Sequence, residues 1–180
     1  MTIYIALIRG INVGGKNKVP MAELKLSLQA IGLNNVQTYI QSGNVLFESE
    51  DGAEQLRGRI EQAIEASFGV TATVVLRTAE QLERIIEGCP YAADSLLEGE
   101  SIQVSVLTEA PSQKAIDILS VSSDEKDEYQ ISGEEIYFLF RQSVLDSKLA
   151  KNLAKLGSTV TSRNWNTIIK LGALVKAMEG

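Results

Sequence analysis

The amino-acid sequence predicts an α+β protein made of two similar βαββα-type halves and a C-terminal helical extension. Strand-like alternation and helix-like spacing succeed each other in the order βαββαβ, and the pattern then restarts. Pro20 and Pro111 open equivalent predicted helices 91 residues apart, and Gly43 and Gly133 form equivalent predicted turns 90 residues apart. Two markers that recur at nearly the same offset indicate an internal duplication. Because βαββαβ is the order of ferredoxin-like domains, we expect two ferredoxin-like halves.

Residues 1–78 form the first predicted half. Alternating apolar residues in TIYIALIR predict its first strand, and Pro20 suits the first turn of the helix that follows. The glycine of Ser42-Gly43-Asn44 permits the tight turn of a hairpin. The predicted elements are strands at residues 2–9, 36–41, 45–48 and 70–77, with helices from residue 20 and at residues 55–68.

A linking helix and loop at residues 79–100 precede the second predicted half, residues 101–156. No last strand is predicted for this half. Instead, we expect residues 157–180 to form a helix that packs on the body and is capped by Thr161 or Ser162. The predicted elements are strands at residues 102–108, 128–131 and 136–141, with helices at residues 111–121 and 147–156.

The composition excludes several classes of function. The chain of 180 residues has no histidine, which removes imidazole bases, Ser–His–Asp triads, Cys–His dyads and the usual zinc sites. Its one cysteine, Cys89, cannot form an internal disulfide and has no histidine to activate it. No apolar stretch is long enough to span a bilayer, and no export signal is recognisable. We therefore expect a cytoplasmic protein without a membrane partner.

Charge is segregated along the chain. The net charge is −6, but residues 1–22 carry +3, residues 23–140 carry −14 and residues 141–180 carry +5. So acidic a chain predicts poor general affinity for nucleic acid, although the two basic ends would create a local positive field if the fold brought them close. Six acids around the second hairpin lack the spacing of a calcium loop, and we interpret them as solvated surface. They are Asp124, Glu125, Asp127, Glu128, Glu134 and Glu135.

The connection after the first strand is unusually long. The segment INVGGKNKV separates Gly10 from Pro20, whereas one residue separates Glu109 from Pro111 in the second half. Backbone N–H groups that glycine leaves accessible can bind an anion together with nearby lysines, so the segment predicts an anion cradle. A flexible, solvated loop has the same composition. Gly10 to Lys16 also matches the start of a nucleotide-binding P-loop. That match fails because Asn17 replaces the magnesium-binding Ser or Thr, so we expect no nucleoside triphosphatase.

Two further patterns bear on binding. Lys148, Lys151 and Lys155 recur on one face of a predicted helix, and Arg163 and Asn164 precede another, where N–H groups favour an anion. Trp165 suits a core anchor or a stacking surface. The strand around Tyr4 resembles one motif of RNA-recognition domains, but its partner strand offers only Phe47, so single-stranded RNA binding is the less favoured alternative.

RGINVGGKNKVPMAEL, TYIQSGNV and TSRNWNTIIKL resemble, nearly end to end, the bacterial family catalogued as domain of unknown function 1697. The resemblance implies a cytosolic α+β fold related to ferredoxin-like modules and implies no established activity. The positions that match the family's motifs are Arg9, Gly10, Asn12, Gly14, Gly15, Lys16, Asn17, Pro20, Ser42, Gly43, Asn44, Ser147, Lys148, Arg163, Asn164, Trp165, Asn166 and Thr167.

These patterns predict a cleft for a phosphate- or carboxylate-bearing partner, such as a phosphorylated small molecule or a nucleotide. They assign no catalytic residue, metal or cofactor, and so leave open whether the protein is an enzyme. The alternative is a protein-interaction or assembly module, which predicts that Trp165 and Asn166 are buried and that Asn44 bonds only to backbone. The predicted ligand-binding residues are Arg9, Asn12, Gly14, Gly15, Lys16, Asn17, Lys18, Ser42, Asn44, Lys148, Arg163, Asn164, Trp165 and Asn166.

Overall fold

A computed structural model describes residues 1–121 and 126–180. The chain divides into two compact units, one of residues 1–84 with 171–180 and one of residues 85–170. Each unit contains a four-stranded antiparallel sheet with helices. The predicted fold class, an α+β protein of two similar halves with a C-terminal helix, is therefore confirmed. The finer division at residues 78, 100 and 156 stays a prediction.

In the first unit, two helices cover one face of the sheet, whose strand order is β2-β3-β1-β4. Tyr4, Ala6 and Ile8 of the first strand join apolar residues of both helices in one core. Ile5 and Leu7, on the opposite face, are also buried, which explains why this strand is nearly continuously apolar. The elements of this half are β1 (Thr2–Arg9), α1 (Met21–Ala30), β2 (Asn34–Tyr39), β3 (Asn44–Ser49), α2 (Ala53–Phe68), β4 (Thr73–Thr78) and α3 (Ala79–Glu87), and the boundary between the units falls within α3.

The second unit repeats this arrangement, with strand order β6-β7-β5-β8. Its core joins Phe138 and Phe140 to Leu119 and Leu149, which the two helices contribute. The phenyl rings of Phe138 and Phe140 stack with centroids 5.6 Å apart. The elements of this half are β5 (Ser101–Leu107), α4 (Gln113–Ser120), β6 (Glu128–Ser132), β7 (Glu135–Phe140), α5 (Lys148–Ala154), β8 (Val160–Asn164) and α6 (Trp165–Glu179). The part of α6 from residue 171 onward belongs to the first unit.

Strand β8 corrects the prediction for the C-terminal segment. Residues 160–164 pair with β5, and the hydroxyls of Ser162 and Ser105 lie 2.6 Å apart across the two strands. Thr161 and Ser162 therefore do not cap the final helix. The cap is Asn164, whose Oδ1 accepts a hydrogen bond from the Thr167 N–H at 2.8 Å. Hydroxyl-rich sequence that looks like a cap can also form an edge strand, since threonine is well suited to strands.

The two halves match in detail at the end of their last strands. Arg77 in β4 and Arg163 in β8 each donate from Nη1 to the carbonyl of the preceding residue at 2.9 Å. The next residue caps a helix in both halves: Thr78 accepts from the Gln81 N–H, as Asn164 does from Thr167. The second half is thus a complete βαββαβ unit, and α3 and α6 are equivalent helices.

None of the helices in the described ranges combines the length and apolar character needed to cross a bilayer.

Candidate functional site

The glycine- and lysine-rich loop, residues 10–20, has a defined backbone. Residues 13–16 form a tight turn in which the Lys16 N–H donates to the Val13 carbonyl at 2.9 Å. Gly14 and Gly15, the central residues of this turn, have φ of +57° and +76°. Two successive positive φ values are the signature of a type I′ turn, which glycine adopts without a steric cost. The glycine pair therefore serves a small hairpin at the tip of the loop.

Two asparagines hold this loop in place. The Asn12 amide donates to the Val19 carbonyl at 2.9 Å and the Gln41 carbonyl at 2.8 Å, and its Oδ1 accepts from the Val19 N–H at 2.7 Å. Asn17 donates from Nδ2 to the Gly10 carbonyl at 2.9 Å. Both asparagines have positive φ, which Asn tolerates better than other non-glycine residues. These side chains, predicted to orient a ligand, orient the loop backbone.

Replacing Asn12 with alanine should loosen the loop. Removing three hydrogen bonds at a half-buried site should lower the free energy of unfolding by about 2 kcal/mol, given about 0.5–1.5 kcal/mol for each net bond. Amide hydrogen exchange should accelerate across residues 10–19 before global unfolding. Asn35→Ala is the matched control, because Asn35 also has positive φ (+48°) and is exposed. Equal effects of the two variants would contradict a bonding role for Asn12.

The β2–β3 turn forms the base on which this loop rests. Gly43 accepts a hydrogen bond from the Ile8 N–H at 2.8 Å, and Gln41 accepts the bond from Asn12. Asn44 is fully buried, and its Nδ2 donates to the Tyr39 carbonyl at 3.1 Å and to the Ser42 Oγ at 2.9 Å. The motif Ser42-Gly43-Asn44 is therefore part of the same local structure as the loop.

An open cleft of about 400 Å³ lies beside the loop. Lys18 lines it, and none of the acidic residues that the structure describes does. Lys16 and Lys18 are both exposed, and neither takes part in an ion pair within the described part of the chain, whereas Arg57, Arg59 and Arg84 all do. Arg9, at the end of β1, is half-buried. The cleft is lined by Asn12, Gly15, Lys18, Val19, Pro20 and Gln41.

The remaining predicted site residues belong to the second unit. Lys148 and Asn166 are exposed, Trp165 is half-buried, and burial lowers the pKa of Arg163 to about 10. The assembly hypothesis is wrong in predicting a buried Asn166, and Asn44 bonds to a hydroxyl as well as to backbone. That the loop and these residues share one pocket stays a prediction.

The second unit contains a buried carboxylate that the sequence did not predict. Asp127 is only 2% exposed and accepts hydrogen bonds from the Arg141 N–H at 2.9 Å, the Gln142 Nε2 at 2.8 Å and the Ser147 Oγ at 2.6 Å. Ser147 is itself buried and caps α5 by accepting from the Ala150 N–H at 3.1 Å. The interpretation as solvated surface is therefore wrong for Asp127. Asp124 and Glu125 lie outside the described residues.

Two other candidate chemistries receive no support from their surroundings. Burial raises the pKa of the half-buried Cys89 thiol, and its Sγ lies 3.6 Å from the Tyr91 carbonyl. A thiol held in its protonated form is a poor nucleophile. Tyr4 and Phe47 stack with ring centroids 5.5 Å apart inside the core of the first unit, so these rings do not form a platform for RNA bases.

Comparison with known proteins finds a matching family model and similar solved structures. The model of the family described as "Protein of unknown function (DUF1697)" matches residues 1–137. The solved structure of SP0830, a conserved bacterial protein from Streptococcus pneumoniae, is similar at a TM-score of 0.80 and 30% sequence identity, over 96% of this chain and 97% of that chain. None of the curated proteins matches the chain.

Proposed function

The chain belongs to the DUF1697 family of proteins of unknown function, and from that premise we propose that it binds a small anion at the loop of residues 10–20. The ligand carries a phosphate or carboxylate group, as a phosphorylated metabolite or a nucleotide does. The observation that carries the proposal is the cleft of about 400 Å³, whose lining, within residues 1–121 and 126–180, includes a lysine and no acid. A cleft of this size accepts a ligand of metabolite dimensions.

Electrostatics supports an anion. Lys16 and Lys18 lie on one short exposed loop of a chain whose net charge is −6. Cationic side chains without an ion-pair partner bind phosphate or carboxylate through charge-assisted hydrogen bonds, which are about twice as strong as neutral ones. Because the field of the whole chain opposes an anion, binding depends on these nearby charges and should weaken as salt is added.

The rigidity of the loop also supports binding. Asn12 and Asn17 hold the backbone in a conformation with four positive φ values between residues 12 and 17. A loop that is already ordered loses less conformational entropy when a ligand binds. The asparagines and glycines therefore contribute by positioning the two lysines, and the lysines contribute the charge. A separate prediction adds four residues of the second unit to the ligand contacts, and the single variant Arg163→Gln tests it. These residues are Arg163, Asn164, Trp165 and Asn166.

Replacing both lysines should abolish tight binding. We expect a screen of nucleotides, sugar phosphates and small carboxylates by thermal shift to identify an anion that raises the melting temperature. For the best of them, the double variant Lys16→Gln/Lys18→Gln should raise the Kd by about 10–100-fold in titration calorimetry. That corresponds to about 0.7–1.4 kcal/mol for each lysine, less than the roughly 1.5–3 kcal/mol of a fully made charged hydrogen bond because both lysines are exposed. The control is Lys25→Gln, an exposed lysine on α1 that should leave the Kd unchanged.

Two outcomes would count against this function. One is a screen in which no anion changes the melting temperature of the wild-type chain. The other is an anion whose affinity is the same for the wild type and for the double variant, because such a ligand binds elsewhere.

A further inference from the structure

Two lysines of α5, together with Lys155 at its C-cap, lie on one outer face of the helix. Lys148, Lys151 and Lys155 are all exposed, and at about 100° of rotation per residue they fall within an arc of about 60°. The opposite face is anchored, because Leu149 is fully buried and Leu153 and Leu156 pack against the same core. The lysines therefore point away from the core in a fixed orientation.

These lysines have no acidic partner in the described part of the second unit. Arg141, by contrast, pairs with both Glu100 and Glu128. Residues 147–178 contain no acidic residue, and the acid nearest to the lysines in sequence is the exposed Asp146. On the neighbouring helix α4, Asp117 accepts a hydrogen bond from Gln113 at 2.9 Å. Like charges spaced three and four residues apart destabilise a helix, so this arrangement is unfavourable until an anionic partner is present.

Exposed apolar residues immediately precede the lysines. Val144 and Leu145 are 38% and 81% exposed. They lie in a turn closed by the Asp146 N–H, which donates to the Ser143 carbonyl at 2.9 Å. The buried Asp127 fixes the following residue, Ser147, so the turn and the start of α5 share one rigid support.

We propose that Val144, Leu145, Lys148, Lys151 and Lys155, called here the α5 surface, bind an acidic segment of another protein. The segment carries carboxylates that pair with the lysines and an apolar side chain that covers Leu145. Charge complementarity and the exposed leucine together favour a protein over a nucleic acid, because a leucine adds nothing to phosphate binding. Residues 143–155 also contain no aromatic side chain on which a base could stack.

The spacing of the lysines indicates a helical segment. Positions i, i+3 and i+7 match the spacing of side chains along one face of a second α-helix. Carboxylates at the same spacing on a partner helix can therefore meet all three lysines at once. Such a contact uses none of the residues of the loop at 10–20, and it shares only Lys148 with the predicted ligand-binding residues.

Fluorescence anisotropy with defined probes tests the proposal. The first probe is a labelled helical peptide with Glu at i, i+3 and i+7 and Leu preceding the first Glu by three positions, and the second is its scrambled sequence. We expect the first peptide to bind the intact chain at least tenfold more tightly than the second. Lys148→Gln/Lys151→Gln/Lys155→Gln should weaken binding by about 10–50-fold, since exposed charge pairs contribute modestly one by one. Leu145→Ser should weaken it by about fivefold and leave the salt dependence unchanged.

The controls separate this surface from the proposed anion site. Lys25→Gln and the double variant Lys16→Gln/Lys18→Gln should bind the peptide as the wild type does. The proposal is overturned if neither peptide binds, or if the scrambled peptide binds equally well. It is also overturned if the triple variant retains full affinity, or if a 15-nucleotide oligothymidylate displaces the peptide at equal concentration. If the free chain dimerises in sedimentation and the triple variant does not, the partner at this surface is a second copy of the chain. That outcome also overturns the proposal of an acidic segment from another protein.

Discussion

Replacing Asp127 with alanine should lower the free energy of unfolding by about 3–5 kcal/mol. The substitution leaves three donors without their acceptor: the Ser147 hydroxyl, the Gln142 amide and the Arg141 N–H. Each buried donor that loses its partner costs about 1–3 kcal/mol. Urea unfolding followed by the fluorescence of Trp165, the single tryptophan of the chain, measures the change in the unit that holds Asp127.

Two comparison variants make this result specific. Glu109→Ala removes an exposed acid of the same unit and should change stability by less than about 0.5 kcal/mol. Asp127→Asn keeps one carbonyl acceptor and the side-chain shape, so its cost should fall between those of the two alanine variants. If Asp127→Ala cost no more than Glu109→Ala, the buried network would not stabilise the start of α5, and the support assigned to the α5 surface would be lost with it.

Asp127 also illustrates why sequence patterns mislead at buried polar residues. Composition places it in an acidic stretch around a hairpin, where solvated acids are the rule. Nothing local to the sequence indicates that Ser147, 20 residues later, returns to donate to it. The sequence predicts that a helix begins at Ser147, but the hydrogen bond from Ser147 to Asp127 depends on tertiary structure.

The strands were predictable to the extent that apolar residues mark them. Periodicity located the first seven strands because each contributes apolar side chains to a core. β8 contains one apolar core residue, Val160, followed by Thr161 and Ser162, so it carried no comparable signal. The internal repeat contained the missing information. Arg77-Thr78 in β4 corresponds to Arg163-Asn164 in β8 at an offset of 86 rather than 90. The offset falls because α5 has 7 residues where α2 has 16.

Residue types at the candidate site were predictable, but their roles were not. The sequence predicts an exposed loop with Lys16 and Lys18, and both lysines are exposed. It could not distinguish an asparagine that binds a ligand from one that binds its own backbone, since the amide group suits both. Asn12 and Asn17 bind backbone, a choice fixed by positive φ values and by the return of Val19 to the loop. The lysines are left as the groups available to a ligand.

Replacing Gly43 with alanine should lower the free energy of unfolding by about 2–4 kcal/mol. Gly43 has φ of +88°, and a Cβ at this position would lie 2.7 Å from the Ile8 carbonyl oxygen and 3.2 Å from the Ile11 Cδ1. The carbonyl cannot easily move, because Ile8 lies within β1 between two neighbouring strands. The cost therefore combines about 1 kcal/mol of backbone strain with overpacking of about 1–3 kcal/mol.

The internal repeat supplies the matched control for this variant. Gly133 occupies the equivalent hairpin turn, also with positive φ (+59°), but no atom lies within 4 Å of the Cβ that alanine would add. Gly133→Ala should therefore cost only the strain, about 1 kcal/mol, in the same denaturation experiment. The difference between the two variants measures how closely the turn packs against Ile8 and Ile11, where the anion loop begins. Equal costs would mean that the turn does not support the loop, and the rigidity on which the proposed anion site depends would need another source.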